Sequence, residues 1–238
     1  MNILITICAR AGSNRIKNKN MVPIAGKPLI QYTIDIAKKW GRAKRIVCST
    51  DSEEIAHVAK ANGVEVPFYR PKELASDTAG KVSVIRHTLK KCEEIYNEKF
   101  DLVVDLDVTS PLRTTRDLDK CLELFEKKKP DVVFSVTRAR RNPYFNMVEV
   151  NKEGYVALSK PTNTPLLRTQ DAPQVYDMNA SIYFYSRNFL LDHKNESPLS
   201  SKRAVAHVMD DISAFDIDGK HELKYIEHLI TNGVFMFE

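Results

Sequence analysis

Arg10, Arg15, Lys17 and Lys19 set a run of cations directly after an apolar segment, with no acidic residue among them. Gly12 permits a positive φ and close backbone approach, and Ser13 and Asn14 can donate hydrogen bonds. Such a loop can cradle a polyanion. Backbone N–H groups near Gly12 and Ser13 meet the oxygens, while Arg10 and Lys19 supply the neutralising charge a triphosphate requires as pyrophosphate departs. A solvated surface loop has the same composition. Neither G-x-x-x-x-G-K-[ST] nor G-x-G-x-x-G is present, so the standard ATPase and dinucleotide loops lose their main support.

Two carboxylate pairs come next. Asp216-Ile217-Asp218 ends an apolar stretch, 214–217, that reads as a strand. On a strand, residues i and i+2 share a face, and two such carboxylates can hold a hard cation such as Mg²⁺. Asp218, ahead of Lys220, can equally cap a helix. Asp105-Leu106-Asp107 has the same spacing and the D-x-D pattern of nucleotide-sugar glycosyltransferases. Asp107 opens a polar loop and is the candidate of the two; Asp105 can serve as a structural acceptor in the sheet. Downstream, Asp177 and Asn179 offer hydroxyl-binding groups ahead of a strand. Arg168, with Gln170 beside it, suits a carboxylate ligand. The six histidines form no H-x-x-x-H or H-E-x-x-H, and no Ser/His/Asp order stands out.

Periodicity names the elements that must position these groups. Residues 3–8, 44–49, 64–68, 101–106 and 131–136 read as strands. Between them, helical spacing runs from Leu29 to Trp40, from a cap at Thr50-Asp51-Ser52 to Asn62-Gly63, along Val82, Ile85, Leu89, Cys92 and Tyr96, and along Leu118, Cys121, Leu122 and Phe125. Asp77 or Thr78 is the expected cap of the third helix. This alternation predicts an α/β, Rossmann-like fold: a mainly parallel sheet with helices on both faces, whose ligands bind beyond the carboxyl ends of the strands. After Val136 the pattern changes. Residues 138–178 carry Pro143, Pro161, Pro165 and Pro173 and a hairpin, 147–150 with 155–158, turning at 151–154. They read as an inserted arm on a single domain spanning 1–238. Strands at 180–185 and 204–209 follow, and a closing helix, 220–230, turns Leu223, Ile226 and Ile230 inward.

With 238 residues, 43% apolar and 28% charged, the chain has ordinary globular composition. A net charge of +5 is mild, and no aromatic-interleaved basic run argues for nucleic acid. The four cysteines lack C-x-x-C spacing and sit in apolar segments, as buried thiols of a reducing compartment do. No apolar run reaches the length of a membrane span, and no signal peptide is evident, so the expected location is the cytoplasm.

The motifs together resemble one family. Ala9-Arg10-Ala11-Gly12-Ser13 with Lys19-Asn20 resembles the signature of the acylneuraminate cytidylyltransferases, the CMP-sialic acid synthetases. Ser49-Thr50-Asp51, Arg70-Pro71 with Asp77-Thr78, Thr109-Ser110-Pro111-Leu112-Arg113, Asn179-Ala180-Ser181 and Phe215-Asp216-Ile217-Asp218 follow in the family's order. Two positions depart from the neuraminate branch: Asp107 stands where that branch has glutamine, and Lys81 where it has serine. With Arg141 to Asn146 and Val208 to Asp211, these features look more like the CMP-legionaminic acid synthetases.

The resemblance implies a homodimer that couples CTP to a nine-carbon 2-keto sugar acid, with Mg²⁺, giving a CMP-sugar and pyrophosphate. Carried over by position, Arg10 and Lys19 contact the triphosphate, with Ala11, Gly12, Ser13 and Asn20 beside them and Arg70 and Lys81 at the nucleotide. Asp107, Thr109, Arg168, Gln170, Asp177 and Asn179 serve the sugar. Asp216 and Asp218 hold metal, and Asp218 also orients the sugar hydroxyl. The arm is assigned to dimer contact and part of the sugar pocket. Two rivals stand beside this reading, a metal-dependent glycosyltransferase using Asp105 and Asp107 and a CTP-binding regulator without turnover.

Overall fold

Strand β1 (Ile3–Cys8) sends alternate side chains into two cores. Ile3, Ile5 and Ile7 join one, and Leu4 joins the other. That is the period-two signature of a strand covered on both faces. Fully burying one such isoleucine contributes about 1.5–3 kcal/mol. Because Thr6 and Cys8 share the face of Leu4, the polar end of β1 points to the second core, which becomes important at the site.

In this computed structural model every residue is described except Asn14, Pro165 and Glu238. The hydrogen-bonding role expected of Asn14, and one of the arm's prolines, therefore lie outside the described residues. After β1 come a short hairpin, β2 (Pro23–Ile24) and β3 (Lys27–Pro28), then α1 (Leu29–Trp40), β4 (Arg45–Ser49), α2 (Glu53–Ala61), α3 (Lys81–Tyr96) and β5 (Leu102–Leu106). The chain continues through α4 (Thr115–Lys128), β6 (Val132–Arg138), the hairpin β7 (Val148–Val150) and β8 (Val156–Leu158), β9 (Tyr176–Ser186), α5 (Arg187–Leu191), β10 (Ala204–Val208) and α6 (Lys220–Thr231).

The sheet order is β10-β6-β9-β5-β1-β4. β1 runs parallel to β4 and β5, and β10 parallel to β6. β9 runs antiparallel between β5 and β6. The sheet is mainly parallel, as expected, with α1, α4 and α6 contributing to one core and α3 and α5 to the other.

Several local expectations need correction. Residues 64–68 form no strand; Glu65 and Tyr69 make only isolated bridges to Val47 and Thr50, in keeping with Pro67, which lacks a ladder N–H. Residues 214–217 are turn and coil: Ala214 N and Phe215 N bond back to Asp210 O and Ile212 O, and Ile217 N bonds to Thr109 O at 2.9 Å. Helix α3 starts after Gly80 and has no side-chain cap, so neither Asp77 nor Thr78 caps it. In α6 the buried residues are Ile226 and Leu229, with Leu223 and Ile230 packed at the margin. The cap at Ser52 holds, accepting from Ile55 N at 3.3 Å, and Thr114 with Asp117 forms a full capping box on α4. Cys48, Cys92 and Cys121 are buried free thiols, and burial pushes Cys48 and Cys92 up to about 12. Among the described residues no helix is long and apolar enough to cross a membrane.

Candidate active site

The parallel strands β1, β4 and β5 end on one edge, and the loops leaving β1 and β5 line a cavity of about 410 Å³. Arg10, Gly12, Ser13, Lys19 and Asn20 line it from the first loop; Arg70, Lys81, Asp107, Thr109 and Asp218 arrive from elsewhere. Each cation is held. Arg10 Nη1 donates to Ala75 O at 3.2 Å, and its Nη2 lies 2.5 Å from Asp77 Oδ1. Asn20 Nδ2 donates to Arg10 O at 3.0 Å. Lys19 Nζ donates to Ile217 O at 2.7 Å. Arg70 is buried, with Nε donating to Ser49 Oγ at 3.2 Å and Nη2 to the Ser49 carbonyl. Arg15 Nη1 pairs with Asp218 Oδ1 at 2.8 Å. Ala11 is absent from the cavity lining, and its amide donates to Asp51 Oδ1 at 2.9 Å, so the backbone donor expected there is already used.

The floor is a carboxylate cluster. Val103, Asp105 and Asp107 follow the same alternation as Leu4 and Thr6 on the neighbouring strand. Thr6 Oγ1 donates to Asp105 Oδ1 at 2.7 Å. Lys81, the first residue of α3, reaches both aspartates: Nζ is 3.3 Å from Asp105 Oδ2 and also donates to Asp107 Oδ2. Desolvation works against the lysine's charge, but Asp107 and Asp105 outweigh it and hold the ammonium well above its ordinary range. The two departures from the neuraminate pattern, Lys81 and Asp107, are thus one ion pair.

Arg113 fastens the loop after β5. It is buried, with Nε donating to Ser181 Oγ at 3.1 Å and Nη2 to Ser110 O at 2.6 Å and to the Asp107 carbonyl. Burial lowers its guanidinium to about 10, against the pull of Asp107 and Asp105. Ser110 Oγ in turn lies 3.5 Å from Asp216 Oδ1. Burial raises the Asp216 carboxyl above its usual range; the Asp107 charge adds to this, while a hydrogen bond from Thr109 and the charge of Lys19 oppose it.

Asp216 lines a second cavity, of about 420 Å³, with Arg138, Arg140, Arg141, Asp177 and Phe215. These three arginines are exposed, and sequence reasoning missed them as site residues. The signal was a basic run, Arg138 to Arg141, at the carboxyl end of β6. Asp177, expected at the sugar, is on this cavity. The others assigned to the sugar divide. Asp107 and Thr109 line the first cavity. Asn179 lines neither cavity: it is buried, its Oδ1 accepts from Ser135 Oγ at 2.7 Å and its Nδ2 faces Met209 Sδ at 3.2 Å. Arg168 and Gln170 are exposed on the arm and line neither cavity; Arg168 pairs with Asp171 at 3.1 Å. Both belong to the segment between β6 and β9.

Asp216 and Asp218 do not share the face of a strand, because their segment is coil, and they line different cavities. Their chemistry still suits a hard dication. Asp216 is a carboxylate whose charge is disfavoured by burial and by Asp107, a condition that a bound cation relieves. Mg²⁺ takes one or two protein carboxylates and fills its remaining positions with phosphate oxygens and water. Among the described residues no group of three or more His, Cys, Asp or Glu forms a cage that could hold a metal by itself.

A sequence profile described as Cytidylyltransferase matches residues 4–237. The chain is 45% identical over 228 residues to the Post-translational flagellin modification protein B of Campylobacter coli, covering 96% of this chain and 94% of that one. It is 43% identical over 229 residues to a CMP-N,N'-diacetyllegionaminic acid synthase of Campylobacter jejuni, covering 96% and 95%. In fold it is similar to a CMP:2-keto-3-deoxy-manno-octonic acid synthetase complexed with CTP, with a TM-score of 0.70 at 18% identity over 98% of this chain and all of the other. With cations and carboxylates gathered at the strand ends of a Rossmann-like sheet, the chain belongs to the cytidylyltransferase family and is a CTP-dependent nucleotidyltransferase.

Proposed function

We propose that this enzyme transfers the cytidylyl group of CTP to the anomeric 2-hydroxyl of a nonulosonic acid, legionaminic acid before neuraminic acid, releasing pyrophosphate. One observation carries the reading. The cationic cavity at Arg10 and Lys19 and the arginine-rimmed cavity at Arg138, Arg140 and Arg141 lie on either side of the segment bearing Asp216 and Asp218. A triphosphate suits the first, and a sugar acid, with its single carboxylate, suits the second. The relative that is 43% identical supports the legionaminic choice by its name.

Arg10 and Lys19 stabilise charge that builds on the leaving pyrophosphate. Arg70 and Lys81 border the nucleotide. Asp218, steadied by Arg15, orients the attacking hydroxyl toward the α-phosphate. Asp216 and Asp218 would hold Mg²⁺, which when bound supplies positive charge to phosphate oxygens and lowers the pKa of a nearby hydroxyl. The hairpin β7–β8 exposes Val150, Tyr155 and Val156 at 67%, 75% and 65%. All six residues of its two strands are exposed, which supports the arm as a homodimer contact; a monomer by light scattering at micromolar concentration would reject that part.

The deciding experiment follows pyrophosphate release from CTP with legionaminic, pseudaminic and neuraminic acids. Release with legionaminic acid as the best substrate is expected. A glycosyltransferase releases no pyrophosphate, and a CTP-binding regulator shows no turnover; either result would overturn the reading. The rival glycosyltransferase is already weakened, since Lys81 occupies its D-x-D pair.

A further inference from the structure

Asp105 is a carboxylate with 1% exposure, and a buried charge of that kind needs a counter-charge. Its Oδ1 is committed to Thr6, so the carboxyl group is set in one orientation. Its Oδ2 and the Oδ2 of Asp107 converge on a single point, and the Lys81 ammonium stands there. The face of the Tyr183 ring covers the same ammonium, 4.5 Å from its centroid. The lysine also opens α3, where the positive end of the helix dipole disfavours a cation. Its position is therefore set by the two carboxylates and the ring, against the local preference of the helix.

We propose that Lys81 is the resident cation of the Asp105–Asp107 pair, and that its ammonium keeps divalent metal out of a D-x-D geometry that would otherwise take it. An ammonium and a hard dication compete for the same converging carboxylate oxygens, and the tethered ammonium pays no entropy of association. Asp107 thus enters the cavity wall as half of an ion pair, and metal is left to other carboxylates of the site.

Mn²⁺ titration followed by electron paramagnetic resonance of the free ion, with neither nucleotide nor sugar present, tests this separately from the cytidylyltransfer reading. Lys81→Met keeps the stem volume and removes the charge; it is expected to bind one Mn²⁺ per chain more than the unaltered enzyme. Adding Asp105→Asn to Lys81→Met removes that extra ion, and Lys81→Arg leaves the count unchanged. Circular dichroism checks folding. Should Lys81→Met not fold, Asp105→Asn alone decides: an unchanged Mn²⁺ count supports the proposal. A folded Lys81→Met with no added Mn²⁺, or an Asp105→Asn enzyme that loses one, overturns it.

Discussion

Lys19 Nζ donates to the carbonyl of Ile217 at 2.7 Å, joining residues 198 positions apart. The contact ties the first loop to the coil that carries Asp216 and Asp218. A lysine ammonium has three donors. One is spent on this tie, and two remain for a phosphate in the cavity. Lys19 thus both places the aspartate segment and supplies charge. Lys19→Met should lower kcat/KM for CTP by about 10²–10³, the usual cost of one lost charge-stabilising donor. It should also weaken metal dependence, because the aspartate segment loses one of its anchors. A metal titration unchanged from the parent enzyme would remove the positioning half of this role.

Arg10 is a simpler case. Its ion pair with Asp77 joins two partly exposed side chains, a kind of contact worth about 0–1 kcal/mol. Arg10→Ala should therefore leave the urea midpoint nearly in place. Pyrophosphate release should fall by about 10²–10³. Near-parental turnover would take Arg10 out of the catalytic set.

The arginines of the second cavity separate the two substrates. Arg140→Ala should raise KM for the sugar acid by roughly tenfold, equivalent to a charge-assisted contact of about 1.4 kcal/mol. KM for CTP should stay unchanged. Steady-state kinetics varying each substrate in turn would read the split, and a rise confined to CTP would reverse the assignment of the cavities.

Arg113 carries stability rather than chemistry. Arg113→Ala leaves the buried Ser110 carbonyl without a donor, while the Asp107 carbonyl keeps the Thr33 hydroxyl at 3.3 Å. At about 1–3 kcal/mol for one unsatisfied buried group, the loss should be about 2 kcal/mol by urea unfolding. A loss below about 1 kcal/mol would show that the loop after β5 is held by other contacts.

Acid should act through Asp117. Burial works to raise this carboxyl, but hydrogen bonds from His207 and Thr114 prevail and hold it below its ordinary value. A lowered folded-state pKa gives stability that is present above the unfolded value, about 3.9, and is lost as pH falls through the folded one. Asp117→Asn should cost about 1 kcal/mol at neutral pH, through the capping box, and flatten the fall in Tm below pH ~4. An equally steep acid limb in the variant would place the sensitivity elsewhere.

Much of the fold was legible because side-chain periodicity is local. The continuous apolar run at residues 3–8 marked a buried strand, and 3.6-residue spacing marked α1 and α4, each with its inward face. Gly154 sits at a positive φ in the turn where the hairpin was expected. The loop chemistry at Arg10, Gly12, Ser13 and Lys19, and the pairing of an acidic segment with it, could also be read from residue types. Strand order could not. β9 slots antiparallel between β5 and β6, and no local pattern encodes that neighbour choice. The same long-range closure decided the site. It brought Lys81 onto Asp105 and Asp107, turned Asn179 into the sheet, carried Arg168 off on the arm, and set Arg138, Arg140 and Arg141 beside Asp216. Local sequence determined which side chains stand at the end of each strand or loop. Which of them face one another depends on how distant segments pack, and only the tertiary structure settles that.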